Sequence, residues 1–280
     1  FWYLPDKIYL KMLYKLKMRR KLNLNNPQTF NEKMQWLKLY DRKPEYTKMV
    51  DKYEAKKYVS EIIGEEYIIP TLGIYDTFEE INFEKLPNQF VIKCTHDSGG
   101  NVICKDKEKF CYGFAKKKIK KYLKRNYYDV SKEWPYKNVR PRIIIEKYMA
   151  TKEQPELIDY KFFCFGGKVK IILVCSERSK KLKETWFDTE WNYINLKEGF
   201  CETDKSIKKP TNLKLMIELS EKLSKKIAFV RIDFYEINEK IYFSEITFFP
   251  KSGYEQFEPK EYNNILGDMI KLPYTRKKFK

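Results

Sequence analysis

The chain has 280 residues, of which 42% are hydrophobic and 16% aromatic, a globular composition that argues against a disordered chain. Its 57 Lys and Arg against 39 Asp and Glu give a net charge of +18, a surface that attracts any polyanion without choosing among them. Six scattered cysteines without a C-x-x-C pair, and a single histidine, argue against a Cys/His metal centre and fit a reducing cytoplasm.

Phe1–Leu4 is apolar and Asp6–Arg20 is basic and amphipathic, too charged for a secretory signal. No apolar run reaches transmembrane length. Leu4, Ile8, Met12 and Leu16 recur every four residues with Tyr9 and Leu13 beside them, the pattern of one helix face. Packing of that face on the body of the protein is expected. The other reading is an interfacial helix on an anionic membrane, with the protein peripheral at its inner face.

Residues 1–60 read as helical. Thr29 and Glu32 have the spacing of a capping box for a helix through Tyr40, and a further helix is expected from about Tyr46 to Ile63, closed by Gly64. From Tyr67 the texture changes to strands and turns. Strands are expected at Tyr67–Ile69, Gln89–Cys94, Asn101–Cys104 and Arg142–Met149, with a basic helix over Phe110–Arg125. Asp159–Cys175 reads as a hairpin turning at Gly166–Gly167, Leu213–Lys226 as a helix, and Phe229–Tyr235 with Ile241–Phe249 as a second hairpin. Hairpins alongside helices indicate an α+β fold. The expected organisation is a helical segment at 1–50, an α/β lead-in at 51–88, a small lobe at 89–153 and a C-terminal lobe at 154–280.

The last hairpin carries the sharpest chemical signal. If its loop is Asn238–Lys240, Ile237 pairs with Ile241, Asp233 stands opposite Glu245 and Arg231 opposite Thr247. Directly opposed carboxylates repel and require a cation. Mg²⁺ satisfies this with one or two carboxylates, water and phosphate oxygens. A structural salt bridge from Arg231 satisfies it equally well. A second signal is the strand ending at Lys93 followed by Ser98-Gly99-Gly100, a turn whose backbone N–H groups can approach a phosphate, although the Walker A spacing is absent. His96 lies between them and is a candidate acid/base.

In order along the chain, these segments resemble the ATP-grasp superfamily, specifically its teichuronopeptide-biosynthesis (TupA-like) branch. The resemblance runs through Asn26–Asp41, Val50-Asp-Lys-Tyr-Glu-Ala-Lys, Lys93-Cys-Thr-His-Asp-Ser-Gly-Gly, Glu146-Lys-Tyr-Met, Asp159-Tyr-Lys-Phe-Phe-Cys-Phe, Arg231-Ile-Asp-Phe and Glu245-Ile-Thr-Phe-Phe-Pro. It implies two α+β lobes clasping ATP. Lys52 and Lys93 then face phosphates, and Ser98, Gly99 and Gly100 close over them. Glu146, Lys147, Tyr148 and Met149 meet adenine, and Asp159 and Lys161 help hold the nucleotide. Asp233 and Glu245 match the metal-binding acids for Mg²⁺, with Mn²⁺ as a substitute. Thr247 stands where the superfamily usually has Asn, and Arg231 matches the arginine that stabilises transferred charge. The implied activity is a carboxylate–amine ligase acting through an acylphosphate, with Arg231, Lys93 and His96 as catalytic candidates. The implied substrates are a uronic-acid carboxylate on a polysaccharide or lipid-linked saccharide, and an amino acid or small amine. No nucleic-acid partner is expected, since zinc-finger spacing and aromatic RNA-binding signatures are missing. Two other classes remain open at this stage: a glycosyltransferase of the same surface-polysaccharide pathway, and a non-catalytic basic module binding glycan or membrane.

Overall fold

The computed structural model describes residues 4–199 and 201–273. The apolar Phe1–Tyr3 of the opening segment lies outside them. The helices are α1 (Asp6–Met18), α2 (Phe30–Tyr40), α3 (Glu45–Val50), α4 (Glu54–Ile63), α5 (Tyr112–Leu123), α6 (Tyr128–Ser131), α7 (Leu213–Leu223) and α8 (Tyr262–Met269). The strands are β1 (Thr71–Tyr75), β2 (Phe90–Cys94), β3 (Val102–Cys104), β4 (Ile143–Lys147), β5 (Asp159–Phe165), β6 (Lys168–Ser176), β7 (Lys183–Phe187), β8 (Tyr193–Ile194), β9 (Lys197–Glu198), β10 (Phe229–Ile237), β11 (Lys240–Thr247) and β12 (Phe257–Glu258). Two compact units result, one of residues 43–151 and one combining the segments before and after it.

The 43–151 unit is built on an antiparallel sheet in the order β1-β4-β2-β3. Strand alternation sends Phe90, Ile92, Cys94, Ile143 and Ile145 to one face, where Ala115 and Ile119 of α5 complete the core. Lys93 pairs with Ile144 and Val91 with Glu146, so Lys93 and Glu146 share the opposite face. The seam expected at 88–90 is not a boundary, because β1 and β2 both pair with β4 in this one sheet. The strand expected at Tyr67–Ile69 is a 3₁₀ turn over Glu65–Tyr67, and pairing starts only after Pro70. That proline has no N–H to give, but its carbonyl accepts the Lys147 N–H at 3.0 Å.

The helix expected over residues 46–63 is broken into α3 and α4. The Asp51 carboxylate accepts the N–H groups of Tyr53 at 2.9 Å and Glu54 at 3.4 Å, and the Lys52 N–H goes to the Thr95 carbonyl at 3.0 Å. A side-chain acceptor thus replaces the helical ladder and restarts the helix, the usual competition from Asp at such positions.

The other unit centres on an antiparallel sheet in the order β11-β10-β5-β6-β7-β8. Val230, Ile232 and Phe234 of β10 pair with Cys164, Phe162 and Tyr160 of β5. The sulfur of Cys164 reaches the Ser220 carbonyl, placing α7 with its buried Met216, Leu219 and Leu223 over that face. On the opposite face Phe30 of α2 packs edge-on against Phe229 at 5.1 Å and Phe257 at 5.6 Å. The capping box of α2 forms as read, with Thr29 Oγ1 accepting the Glu32 N–H at 3.3 Å and Glu32 Oε2 accepting the Thr29 N–H at 3.2 Å. The β5–β6 hairpin turns at Gly166 and Gly167, whose φ of 58° and 82° explain the glycines.

The face assignment of α1 is reversed. Leu10 and Tyr14 are the fully buried residues, whereas Ile8, Met12 and Leu16 face outward. The helix is fastened by Arg42 on Asp6 at 2.6 Å, and the Tyr14 ring meets that of Tyr254 at 6.3 Å. These tertiary contacts, not the four-residue period, select the buried side.

Candidate functional site

The β10–β11 hairpin reaches the expected pairing by an unexpected route. Its loop is the two-residue turn Asn238–Glu239, both with positive φ (50° and 60°), and Ile237 pairs with Lys240, not Ile241. Uninterrupted, that register would set Asp233 against Ser244. A bulge between Phe234 and Asp233 inserts Ser244 and restores Asp233 opposite Glu245 and Arg231 opposite Thr247.

Arg231 then reads both acids. Its Nε donates to Asp233 Oδ1 at 2.7 Å, and its Nη2 donates to Asp233 Oδ2 at 2.7 Å, Glu245 Oε1 at 2.8 Å and Thr247 Oγ1 at 3.1 Å. Thr247 donates in turn to Glu245 Oε1 at 3.3 Å. The neighbouring strand adds Lys161, which is paired with Asp233 in the sheet and donates to its Oδ2 at 2.5 Å. Asp159, two residues earlier, takes Lys161 at 3.6 Å and a close ion pair from Arg178. The result is a continuous row of alternating charge, Arg178–Asp159–Lys161–Asp233–Arg231–Glu245. Burial disfavours the Lys161 ammonium, but Asp233 together with Asp159 and Glu245 outweighs it and raises its pKa; Asp233 and Glu245 raise that of Arg231 against burial likewise. Asp233 is fully buried, whereas the Glu245 side chain is 44% exposed and open to a ligand.

A second cluster of the same unit gathers from separate segments. Glu184 of β7, Glu198 of β9, Lys251 and Glu255 converge, with Lys251 in a close ion pair to Glu198 and 3.6 Å from Glu184. Lys251 and Ser252 hold φ of 41° and 56°, a left-handed backbone that side chains rarely adopt. Burial raises the pKa of Glu198 and Glu255, and the negative neighbours raise that of Lys251 against burial.

In the 43–151 unit, Glu146 sits between two lysines. Its Oε1 is 2.5 Å from Lys56 Nζ and its Oε2 is 2.6 Å from Lys93 Nζ. Burial works against ionisation, but the two ammonium groups hold the carboxyl down to about 2. Lys56 also donates to the Ile69 carbonyl at 2.6 Å and to Thr71 Oγ1 at 3.1 Å. Lys147 and Tyr148, the next residues along, line a cleft of about 540 Å³ with Leu72, Asn88 and Gln89.

The loop after β2 forms a third group. Lys52 Nζ donates to the Asp97 carbonyl at 2.5 Å, and the Ser98 N–H donates to Asp97 Oδ1 at 2.7 Å. Gly99 has φ of 87°, and a Cβ on Gly100 would meet the Tyr122 ring at 3.0–3.2 Å. The backbone path therefore favours glycine at 99, while at 100 a Cβ would require Tyr122 to give by a few tenths of an ångström. His96 is 2% exposed, and burial lowers its pKa, so the imidazole is neutral and closed to solvent as it stands.

The profile of the TupA-like ATP-grasp family matches residues 32–271. The chain belongs to this family. No curated protein matches it in sequence. Among solved structures, the ATP-complexed D-alanine–D-alanine ligase of Bacillus anthracis is 22% identical, with 79% of this chain and 63% of that one covered at a TM-score of 0.44. The D-alanine–D-alanine ligase of Helicobacter pylori is 13% identical, with 86% and 69% covered at 0.44. The biotin carboxylase of Campylobacter jejuni in complex with β-γ-ATP is 15% identical, with 81% and 48% covered at 0.44. The chain thus spans 63% of the length of the first of these ligases. The ATP-grasp fold is one that supports ATP-dependent carboxylate–amine ligation in general.

Within this ATP-grasp chain, Arg231, Asp233, Glu245, Thr247, Lys161 and Asp159 come together on one sheet face. Lys93 meets Glu146, and Lys52 lies with Ser98, Gly99, Gly100 and His96 around the β2–β3 loop. Met149 follows β4, half-buried. Sequence reasoning missed Lys56, Arg178 and the Lys251 cluster. Lys56 was within reach, since it follows Lys52 by four residues. Arg178 and the Lys251 cluster carry no local signal, because loops and distant segments bring them in.

Oxygen donors are the right chemistry for Mg²⁺. Asp233 and Glu245 present them from directly opposed positions, but both Asp233 oxygens are taken by Arg231 and Lys161 and Glu245 Oε1 by Arg231 and Thr247, so the structure forms the salt-bridge network and an ion would have to displace part of it, entering from the exposed Glu245 side. Among the described residues no cluster of three or more Asp, Glu, His or Cys is arranged as a metal cage. Thr247 Oγ1 accepts from Arg231 and donates to Glu245 Oε1.

Proposed function

We propose that the protein is an ATP-dependent carboxylate–amine ligase. The observation that carries this reading is the Arg231–Asp233–Glu245 constellation, two opposed acids and a bidentate arginine on one face of a hairpin, in a chain of the ATP-grasp family. Asp233 and Glu245 would hold Mg²⁺, or Mn²⁺ in its place, which supplies positive charge to phosphate oxygens. Arg231 and Lys161 are rigidly aimed cations that need no reorganisation as negative charge develops. Lys93 and Lys56, oriented by Glu146, supply further positive charge on their own unit. The β2–β3 loop would offer the backbone N–H groups of Gly99 and Gly100 to phosphate, that of Ser98 being held by the Asp97 carboxylate.

In the proposed reaction a carboxylate oxygen attacks the γ-phosphorus of ATP, giving an acylphosphate and ADP. An amine then attacks the acyl carbon, expels phosphate and leaves an amide. No protein nucleophile is needed. The buried thiols of Cys94, Cys164 and Cys175 have pKa values pushed up to about 12, consistent with none serving as one. The carboxylate we propose is that of a uronic acid in a surface polysaccharide or its lipid-linked precursor, and the amine is an amino acid or small amine. A net charge of +18 favours such a polyanionic acceptor.

The test is thermal unfolding of the full chain with Mg-ATP, with ATP plus EDTA, and with Mg²⁺-loaded nucleotide sugars. Ligand at about 100 times its dissociation constant adds roughly 2.7 kcal/mol. A metal-dependent rise with ATP, absent in Asp233→Asn, is expected, followed by ADP release on a panel of uronates and amines. A rise with nucleotide sugars alone, or none with any nucleotide, would overturn the reading.

A further inference from the structure

Helix α1 carries two apolar faces, and among the described residues only one is buried against the protein. Leu10 and Tyr14 are fully buried, whereas Ile8, Met12 and Leu16 are 49%, 40% and 75% exposed. The three exposed residues lie four apart, so they form a single row along the helix, spanning roughly 12 Å at 1.5 Å per residue. Lys7, Lys11 and Lys15 each precede one member of this row and are exposed. A cationic row therefore runs beside the apolar one on the same outward side.

An exposed apolar row costs solubility and contributes nothing to a helix already anchored from its other side. The anchoring is independent of the row: Asp6 is held by Arg42, Lys17 lies over the Tyr254 ring, and Tyr14 meets that ring at 6.3 Å. The helix is thus a fixed platform that presents apolar side chains flanked by ammonium groups. The occupant with matching chemistry is a surface that is apolar at depth and anionic at its boundary.

We propose that α1 docks the protein flat on an anionic lipid bilayer, with Ile8, Met12 and Leu16 entering the headgroup–acyl boundary and Lys7, Lys11 and Lys15 contacting lipid phosphates. The helix is a peripheral element, since no helix of the described residues is long and apolar enough to cross a membrane. Each lysine near an anionic surface is worth a factor of roughly 5, so the three together favour anionic over neutral lipid on the order of 100-fold.

The experiment is co-sedimentation of the full chain with extruded vesicles of phosphatidylcholine alone and of phosphatidylcholine mixed with phosphatidylglycerol. Binding to the anionic vesicles is expected, weakened by added salt and weak on the neutral ones. Leu16→Glu, at a position too exposed to disturb folding, is expected to reduce anionic binding by at least about tenfold. Met12→Glu is the second variant, and circular dichroism of both checks the fold. Equal binding to both vesicle types would overturn the proposal, as would unchanged binding of both variants or no binding at low salt. A dimer in solution that Leu16→Glu dissolves, without vesicle binding, would assign the row to a second copy of the chain and overturn it too.

Discussion

Replacing Glu146 by Gln tests the electrostatic account of the 43–151 unit. The carboxyl is held at about 2 against an ordinary value of 4.5. At 1.36 kcal/mol per pH unit, that difference contributes about 3 kcal/mol to stability at neutral pH. Because the folded-state value is depressed, the contribution is complete above about pH 5 and is lost as pH falls through the folded value near 2. Gln keeps the shape but takes this carboxylate from the partly buried Lys56 and Lys93 ammonium groups, which is costly in itself. Glu146→Gln is therefore expected to lose about 3 kcal/mol at pH 7, visible as a lower urea midpoint with unchanged slope. Repeated at pH 5, 4 and 3, the gap to the parent protein should shrink as the parent loses its own ion pairs. A loss under about 1 kcal/mol at pH 7, or one of the same size at pH 3, would refute the reasoning: the role of Glu146 would then be shape and not charge.

Other outcomes follow from single residues. Glu239→Gly relieves a left-handed side-chain residue in the β10–β11 turn and should raise stability by about 1 kcal/mol in urea titration; a decrease would contradict the type I′ geometry. Gly267→Ala forces a Cβ against the Gln28 carbonyl and within 2.8 Å of the Phe30 nitrogen, and should cost about 1–3 kcal/mol. Gly113→Ala in α5 meets nothing within 4 Å and should gain about 0.5 kcal/mol, so the two glycine variants should move the melting temperature in opposite directions. Thiol titration of the native protein near pH 7.5 should show Cys111 reacting first, because it is exposed while Cys94, Cys104, Cys164 and Cys175 are buried; Cys111→Ser should abolish that fast phase.

Much of the site is written locally in the sequence. Alternation along Arg231-Ile-Asp-Phe and Glu245-Ile-Thr-Phe puts the charged residues on one face and the apolar ones on the other whatever the partner strand does, because successive side chains point to opposite sides. The Thr29–Glu32 capping box and the Gly166–Gly167 turn are likewise closed within a few residues, and both form as read. Register is different. The turn is one residue shorter than expected, and Asp233 meets Glu245 only because the bulge at Ser244 compensates. A period of two cannot report a bulge.

Tertiary structure alone decided the remaining points. Glu146 meets Lys56 and Lys93 from separate segments of its unit, while the Lys52 side chain goes to the Asp97 carbonyl and its N–H to Thr95. The buried side of α1 was settled by Arg42 and by the body beneath Leu10 and Tyr14, which overrode a regular four-residue row. Lys251 found Glu184 and Glu198 from segments more than fifty residues away, as sheet pairing and loop paths brought them together. Side-chain periodicity sets which residues can share a face, since it follows from backbone geometry. Which distant charge arrives opposite them depends on long-range chain closure, and that exists only in the folded molecule.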